Sequence, residues 1–536
     1  MARDGVGRKR QGKTRRVFSH REQLSREQCA VIKDWGGRLP VALVYPNSYY
    51  IGMSNLGIHT VYRLLNNYSD VVCERIFDDG ELLSLETRRR PDEFSVLAFS
   101  VSYELDYFNI ARMLKDSEIP LYAAERGEHH PVVIAGGACI TTNPMPLSPF
   151  FDCLCIGEAE IILPLILPVL CDEYSSREDR LKELAKLPGV YVPQYHTDGA
   201  VSRQWLKNLD DSNVSTAILT EDTELGDMYM IEVERGCGWG CRFCLVSGSF
   251  CPIRFHSLDC LLRQAEEGLK YRKRIGLVGP VVSDHPQIEE LLIQMRKMGA
   301  GLSLSSLRVN PLSPAVLREV VKGGARNITL APEAGSQRLR DVIAKRVSED
   351  DVLAAVGMVA AEDVRQLKLY FMIGLPSETD ADIEEMIKLV NRCKAILDKA
   401  GGGCRLGINA TPFIPKAGTP FQWLPMAQPD DLERRLAVLK RELPALGVEV
   451  HNESPAWSQV QAALARGGSD MAGVIAAVEK LSLAGWKRAV KRQQLDLDHY
   501  VSERWDTEKE LPWSVIDLGV PKERLIKELN SAVNPQ

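Results

Sequence analysis

The 536-residue chain contains no apolar run of about 18 residues, the length a membrane-spanning helix requires. Its longest candidate, residues 161–170, is too short and carries Pro164 and Pro168. No membrane partner is expected. A secretory leader is not expected either. Arg3, Arg8, Lys9, Arg10, Lys13, Arg15 and Arg16 crowd the start, and no apolar stretch follows them. Positive charge is not in excess: 66 Lys and Arg stand against 72 Asp and Glu, a net charge of −6. That balance argues against a globally basic nucleic-acid binder and leaves room for a local basic patch. Residues 1–37 read as a solvated basic tail, or as an arm that touches RNA phosphates. No internal repeat of fixed period is found.

The thirteen cysteines, without a leader, imply reduced thiols and a cytoplasmic protein, not a disulfide framework. Cys153 and Cys155 share a face of one apolar run. Cys139, Cys171, Cys393 and Cys404 have no partner at ligand spacing, so core packing is their default.

What is present is an alternation of short apolar runs and helical spacings. The chain exceeds the roughly 250–300 residues at which a single core stops growing, so two or three domains are expected. In residues 38–174, strands are predicted at 41–45, 71–77, 95–100, 132–135 and 153–156, with helices between them. Such runs imply a doubly wound α/β parallel sheet covered on both faces. Residues 175–225 read as a polar connector with one hairpin. A second α/β array fills 226–428, with strands at 228–233, 274–279, 302–307, 327–330, 366–373 and 405–410. Ile288, Leu291, Leu292, Met295 and Met298 mark the apolar face of one intervening helix. Six strand–helix units are too few for a closed eight-stranded barrel, so an open partial barrel is expected. Residues 429–536 read as a mostly helical domain. Its basic and aromatic residues, Trp486, Lys487, Arg488, Lys491, Arg492, Trp505 and Trp513, offer a patch for a macromolecule.

One cysteine cluster breaks the pattern. The first strand of the second array runs into Glu234-Arg235-Gly236-Cys237-Gly238-Trp239-Gly240-Cys241-Arg242-Phe243-Cys244. Three thiolates at Cys-x3-Cys-x2-Cys spacing can hold three corners of a cubane cluster and leave the fourth iron open. The glycines let the backbone wrap closely around an inorganic core. A zinc site is the alternative, with Cys251, His256 or Cys260 as fourth ligand.

In this context Cys-x3-Cys-x-Phe243-Cys resembles the radical S-adenosylmethionine (SAM) superfamily. The resemblance implies a 4Fe–4S cluster on Cys237, Cys241 and Cys244, cleavage of SAM to a 5′-deoxyadenosyl radical, and a reductant protein such as flavodoxin or ferredoxin. Superfamily members often place Gly-Gly-Glu after strand two. Here Val278 to Asp284 departs from that pattern, and Ser283 and Asp284 are the expected substitutes. Leu330 to Ser336 is similar to a SAM-binding stretch, which implies roles for Glu333 and Ser336 near the ribose or methionine. An alternative for Glu333 is a helix N-terminal charge. Gly374-Leu375-Pro376-Ser377-Glu378-Thr379 is similar to a turn whose backbone lies along adenine, which implicates Gly374. The segment from Pro412 to Trp423 resembles a stretch in a bacterial radical SAM family of unsettled substrate.

The N-terminal domain resembles the cobalamin-binding domain of some radical SAM proteins. Ser100-Val101-Ser102, Ala135-Gly136-Gly137 with Thr141, Asn143 and Pro144, and Gly157-Glu158-Ala159-Glu160 carry that resemblance. It implies cobalamin near Gly136 and Gly137. Many cobalamin proteins use Asp-x-His-x-x-Gly after strand one. Here Pro46 to Gly52 has no histidine, and His59 further on reads as a packed or surface residue. The alternative is a domain that has kept the fold and lost the cofactor. Three functions follow: cobalamin-dependent methyl transfer to an unactivated carbon, a cobalamin-free radical modification of RNA or protein, and a zinc-stabilised binding protein. The substrate, small or macromolecular, and the catalytic residues are not assigned by the sequence.

Overall fold

The computed structural model describes residues 20–533, apart from 175, 197–198 and 305–306. The seven basic positions of the tail lie outside the described residues.

Near-continuous apolar runs bury both faces of a strand, which suits a parallel sheet covered by helices. Val71–Phe77 is buried at every position. It forms one edge of a six-stranded sheet, followed by Leu39–Tyr45, Val96–Ser100, Val132–Gly136, Cys153–Cys155 and Val190–Tyr191. The first five strands are parallel. The sixth is antiparallel. The order reverses between Leu39–Tyr45 and Val96–Ser100, so the ligand crevice of a doubly wound sheet lies at their carboxyl ends. Val190–Tyr191 corrects one expectation. The segment read as a connector contributes a helix, Arg177–Ala185, capped by Ser176, and this sixth strand. Two residues are too few to show a strand period in sequence.

The second array forms two runs of parallel strands. Gly301–Leu304, Arg274–Val278 and Met228–Glu232 make one run. Asn327–Glu333, Gln366–Ile373, Arg405–Pro412 and Glu449–Asn452 make the other. Among the described residues no ladder joins the two runs, and the array is a partial barrel. Gln366–Ile373 alternates buried and half-buried positions, so one face packs on helices and the other lines the interior. Helix Ile288–Lys297 buries Ile288, Leu291, Leu292 and Met295, as its spacing predicts. The seventh strand, Glu449–Asn452, lies in the region expected to be mostly helical. Glu449, His451 and Asn452 are polar and at least partly exposed, so no apolar run announces it.

The C-terminal region is otherwise mostly helical. Its tryptophans are not a surface patch. Trp486 packs edge-on against Phe108 of the N-terminal unit, and Arg466 lies over Trp505. Trp486, Trp505 and Trp513 are all buried. Strand Ile516–Asp517 pairs with Val201–Ser202 of the connector. One continuous hydrophobic core runs from the N-terminal sheet through the barrel to the last helix, Lys522–Val533. Among the described residues no helix is long and apolar enough to cross a membrane.

Candidate active site

The cysteine loop leaves the buried strand Met228–Glu232 and is closed at its neck by a short antiparallel pair, Glu234–Arg235 with Arg254–Phe255. Between these, residues 236–253 form a loop on the carboxyl rim of the barrel. Cys237 is buried, and Cys241 and Cys244 are partly exposed. The amide of Cys244 donates to Cys241 O at 3.1 Å, and Cys244 caps helix Leu245–Ser249. The loop is anchored on two sides. Arg242 donates to Val342 O at 2.9 Å and pairs with Glu528 of the last helix at 2.9 Å. Trp239 donates to Asp284, and the Arg308 guanidinium lies 3.2 Å from the Trp239 ring centroid.

The three thiols do not converge on one ion. A tetrahedral zinc site would hold its sulfurs about 3.8 Å apart. Cys237, Cys241 and Cys244 do not gather within 4.8 Å of one another. Wider spacing suits thiolates that each bind a different iron of a cubane. Of the candidate fourth zinc ligands, Cys251 lies on the cysteine loop itself, and His256 and Cys260 lie beyond it. Cys251 donates to Ser247 O at 2.9 Å and lies 3.4 Å from Cys237 O. His256 and Cys260 gather instead with Asp210. Phe243, the motif aromatic, packs against the core.

Of the residues expected around SAM, some face this loop and others do not. Glu333 sits in the left-handed region at φ 68° and pairs with Lys345 at 3.3 Å. Burial pushes its carboxyl up, against the pull of Lys345. Burial pushes the Cys241 thiol up to about 11, with Lys345 pulling it down and Cys244 and Glu333 adding to the rise. Lys345 therefore favours a thiolate there. Ser283 has a buried hydroxyl without a partner. Asp284, by contrast, is engaged with Trp239 and lies 3.7 Å from Arg308. Ser336 holds a local position at the end of strand Asn327–Glu333. It caps helix Gln337–Val342, accepting from the Leu339 amide at 3.2 Å, and donates to Asp382. The Gly374 amide donates to Glu378 at 2.6 Å, and Arg435 pairs with the same carboxylate at 2.8 Å.

Sequence reasoning passed over Glu234. Its carboxylate reaches across to the end of strand Arg274–Val278, where Oε1 accepts from the Val281 amide at 2.6 Å. Gly279 admits it: a Cβ there would lie 2.3 Å from Oε1. Glu234 is 1% exposed, and its Oε2 is buried with no partner. Burial pushes its carboxyl up to about 8, and Asp284 and Glu232 add to the rise against the Val281 hydrogen bond. A buried acid without a cation, beside the cluster loop, is a place for a cationic ligand group.

The Gly157–Glu160 turn meets this same loop. Arg235 pairs with Glu158 at 2.8 Å, with Glu160, and with Glu232 at 2.9 Å. Arg254 holds Glu158 at 2.7 Å. The turn thus fastens the N-terminal unit to the neck of the cysteine loop. At the crevice, Tyr45 and Ser102 approach to 3.3 Å, Asn47 donates to Asp106 at 2.8 Å, and Lys416 and Gln461 hold Glu104. Gly137 has φ 114°, and a Cβ there would lie 2.4 Å from Val101 O. Close packing of two backbones thus accounts for Gly137 without a ligand. Gly136 is less crowded, since its Cβ would meet Cys155 at 3.5 Å. His59 is a packed residue. Both ring nitrogens meet backbone groups, and burial lowers its pKa to about 4.

Residues 231–390 match the profile of the radical SAM superfamily, and residues 57–193 match that of radical SAM proteins, N-terminal. An uncharacterized protein of Methanocaldococcus jannaschii is 32% identical over 437 residues, covering 80% of this chain and 89% of that one. An uncharacterized methyltransferase of Pyrococcus horikoshii is 22% identical over 320 residues, covering 56% and 64%. Among solved structures, the radical SAM methyltransferase TsrM of Kitasatospora setae, with cobalamin and a 4Fe–4S cluster bound, superposes with a TM-score of 0.51. It is 13% identical, over 85% of this chain and 99% of that one. The cobalamin-dependent radical SAM enzyme OxsB, with aqua-cobalamin and SAM bound, gives 0.50 at 12% identity, over 92% and 79%. At these identities the likeness is one of fold.

Proposed function

The chain belongs to the radical SAM superfamily, and we propose that Cys237, Cys241 and Cys244 hold the 4Fe–4S cluster with which it cleaves SAM. When bound and reduced, that cluster supplies the electron that breaks a carbon–sulfur bond of SAM and releases a 5′-deoxyadenosyl radical. The carrying observation is Glu234, buried with its Oε2 unpartnered, beside a loop that carries three cysteines at Cys-x3-Cys-x2-Cys spacing. Glu234 Oε2 accepts from the amino group of SAM, in the role first given to Ser283 and Asp284. Glu333 and Lys345 stand beside Cys241 and orient the methionine end. Glu378 fixes the Gly374 turn, which backs the adenine. Arg242 and the Trp239–Asp284–Arg308 stack hold the loop on the rim. A one-electron protein donor such as a flavodoxin or ferredoxin would reduce the cluster once it is bound. Anaerobically reconstituted protein is expected to hold about four irons and four sulfides and, once reduced, to convert SAM to 5′-deoxyadenosine. A protein with full iron and sulfide that forms no 5′-deoxyadenosine refutes this reading.

The finer reading is methyl transfer, with cobalamin at the crevice outside the carboxyl ends of strands Leu39–Tyr45 and Val96–Ser100. Support comes from the strand order, which puts a crevice there, and from the shared fold with two cobalamin-bound proteins. When bound, cobalamin would supply the methyl group. Equilibrium dialysis under anaerobic conditions separates this from a cobalamin-free modification of RNA or protein. A chain that retains no cobalamin at tens of micromolar supports the second.

A further inference from the structure

A second group of ligand-bearing side chains lies just outside the neck of the cysteine loop. Asp210, His256 and Cys260 bring their ligand atoms within 4.8 Å of one another. His256 is fully buried and Cys260 is 7% exposed. Asp210 Oδ1 lies 3.3 Å from His256 Nδ1, and that nitrogen lies 3.8 Å from Cys260 Sγ. Zinc bonds of about 2.0–2.3 Å in a tetrahedron put ligand atoms roughly 3.3–3.8 Å apart. The group already has that spacing.

A fourth ligand stands ready. Gln264 is buried, and its amide nitrogen is 3.3 Å from Cys260 Sγ. Its Oε1 is buried and has no hydrogen-bond partner. Turning the amide over brings that oxygen to the sulfur side. Cys260 and Gln264 stand one turn apart on helix Leu258–Leu269, and His256 directly precedes its Ser257 cap. The imidazole points the same way. His256 Nε2 is also buried without a partner, 3.6 Å from Glu232 Oε2. A metal on Nδ1 fixes the ring proton on Nε2, facing that carboxylate, as in carboxylate–histidine–zinc triads. A hydrogen-bonded cluster without a metal leaves Gln264 Oε1 unpaired in the core.

We propose that Asp210, His256, Cys260 and Gln264 bind a structural zinc ion that staples the neck of the cluster loop. The mixed sulfur, nitrogen and oxygen set suits zinc. On binding, the Cys260 thiol gives its proton to solvent and ligates as thiolate. The ion joins the connector, through Asp210, to the segment that follows strand Arg254–Phe255. The His256 amide already donates to Val233 O, one residue before the cluster loop's own strand. The site shares no ligand with the cluster, so each can be removed by substituting its own ligands.

The test uses the full chain. Wild-type protein, purified without chelator, is expected to contain about one zinc beside its iron, and a zinc chelator should remove it without loss of iron. Next, Cys237, Cys241 and Cys244 are all changed to alanine, which removes the cluster site, and Co²⁺ is titrated anaerobically. About one Co²⁺ per chain should bind with the intense visible bands of a tetrahedral centre and a thiolate charge-transfer band. Adding Cys260→Ala should abolish the charge-transfer band and weaken Co²⁺ binding at least tenfold. Wild-type protein that holds iron and no zinc overturns the proposal, even if the variants fail to fold. So does a cobalt spectrum unchanged by Cys260→Ala.

Discussion

Replacing Glu234 with glutamine separates a ligand role from a structural one, because the two roles predict opposite effects. The carboxyl is buried and raised to about 8, whereas an unfolded glutamate titrates near about 4.3. The folded state therefore binds the proton more tightly than the unfolded state. This contribution to stability is fully present below about pH 4.3 and is lost as pH rises through about 8, at up to about 1.4 kcal/mol per pH unit. The loss above pH 8 is of order 3–5 kcal/mol, set mainly by burial. Glutamine has no such charge. Without SAM, Glu234→Gln should raise the denaturation midpoint at pH 8.5 and change it little near pH 4.5. SAM binding should move the other way. A buried carboxylate accepting from an ammonium or a polarised amine contributes about 1.5–3 kcal/mol, so the dissociation constant for SAM should rise roughly 10- to 150-fold. Iron content should not change. Thermal melts at the two pH values and anaerobic equilibrium dialysis with labelled SAM read both effects. If the variant binds SAM within twofold of wild type, the ligand role is refuted. If it melts lower at pH 8.5, the carboxylate has a protein partner after all.

Cys241→Ala should lose the iron chromophore and SAM cleavage, whereas Cys251→Ala, whose thiol meets only backbone carbonyls in the structure, should keep about four irons by colorimetric assay. Arg235→Ala should destabilise the protein by about 3–5 kcal/mol, since it takes the guanidinium from Glu160 and Glu232 at a largely buried seam and leaves Glu158 to Arg254 alone. A denaturant midpoint lowered by less than 1 kcal/mol equivalent would show that the seam is held otherwise. Gly137→Ala should cost roughly 2 kcal/mol or more through its positive φ and its contact with Val101 O. Loss of cobalamin in that variant would therefore not diagnose a site. Gly136→Ala, which meets only a 3.5 Å contact, should melt like wild type and is the variant for dialysis.

The sequence by itself determined the elements whose signal is local. Apolar runs marked the long parallel strands, because burial on both faces demands them at every position. The cysteine loop was legible for the same reason: three ligands and three glycines lie within nine residues. Only the tertiary structure decided what depends on juxtaposition. It showed that the Gly157–Glu160 turn, 75 or more residues from Arg235, clamps the cluster loop. It showed that the C-terminal tryptophans fill a core, since composition cannot say which face of a helix meets another unit. It also exposed Glu234 as an acid without a cation, and Ser336 as a helix cap whose hydroxyl is already committed. Hydrogen-bond partners are assigned by distance in space, and spacing along a chain carries no record of which polar atom is left unpaired once the chain has folded.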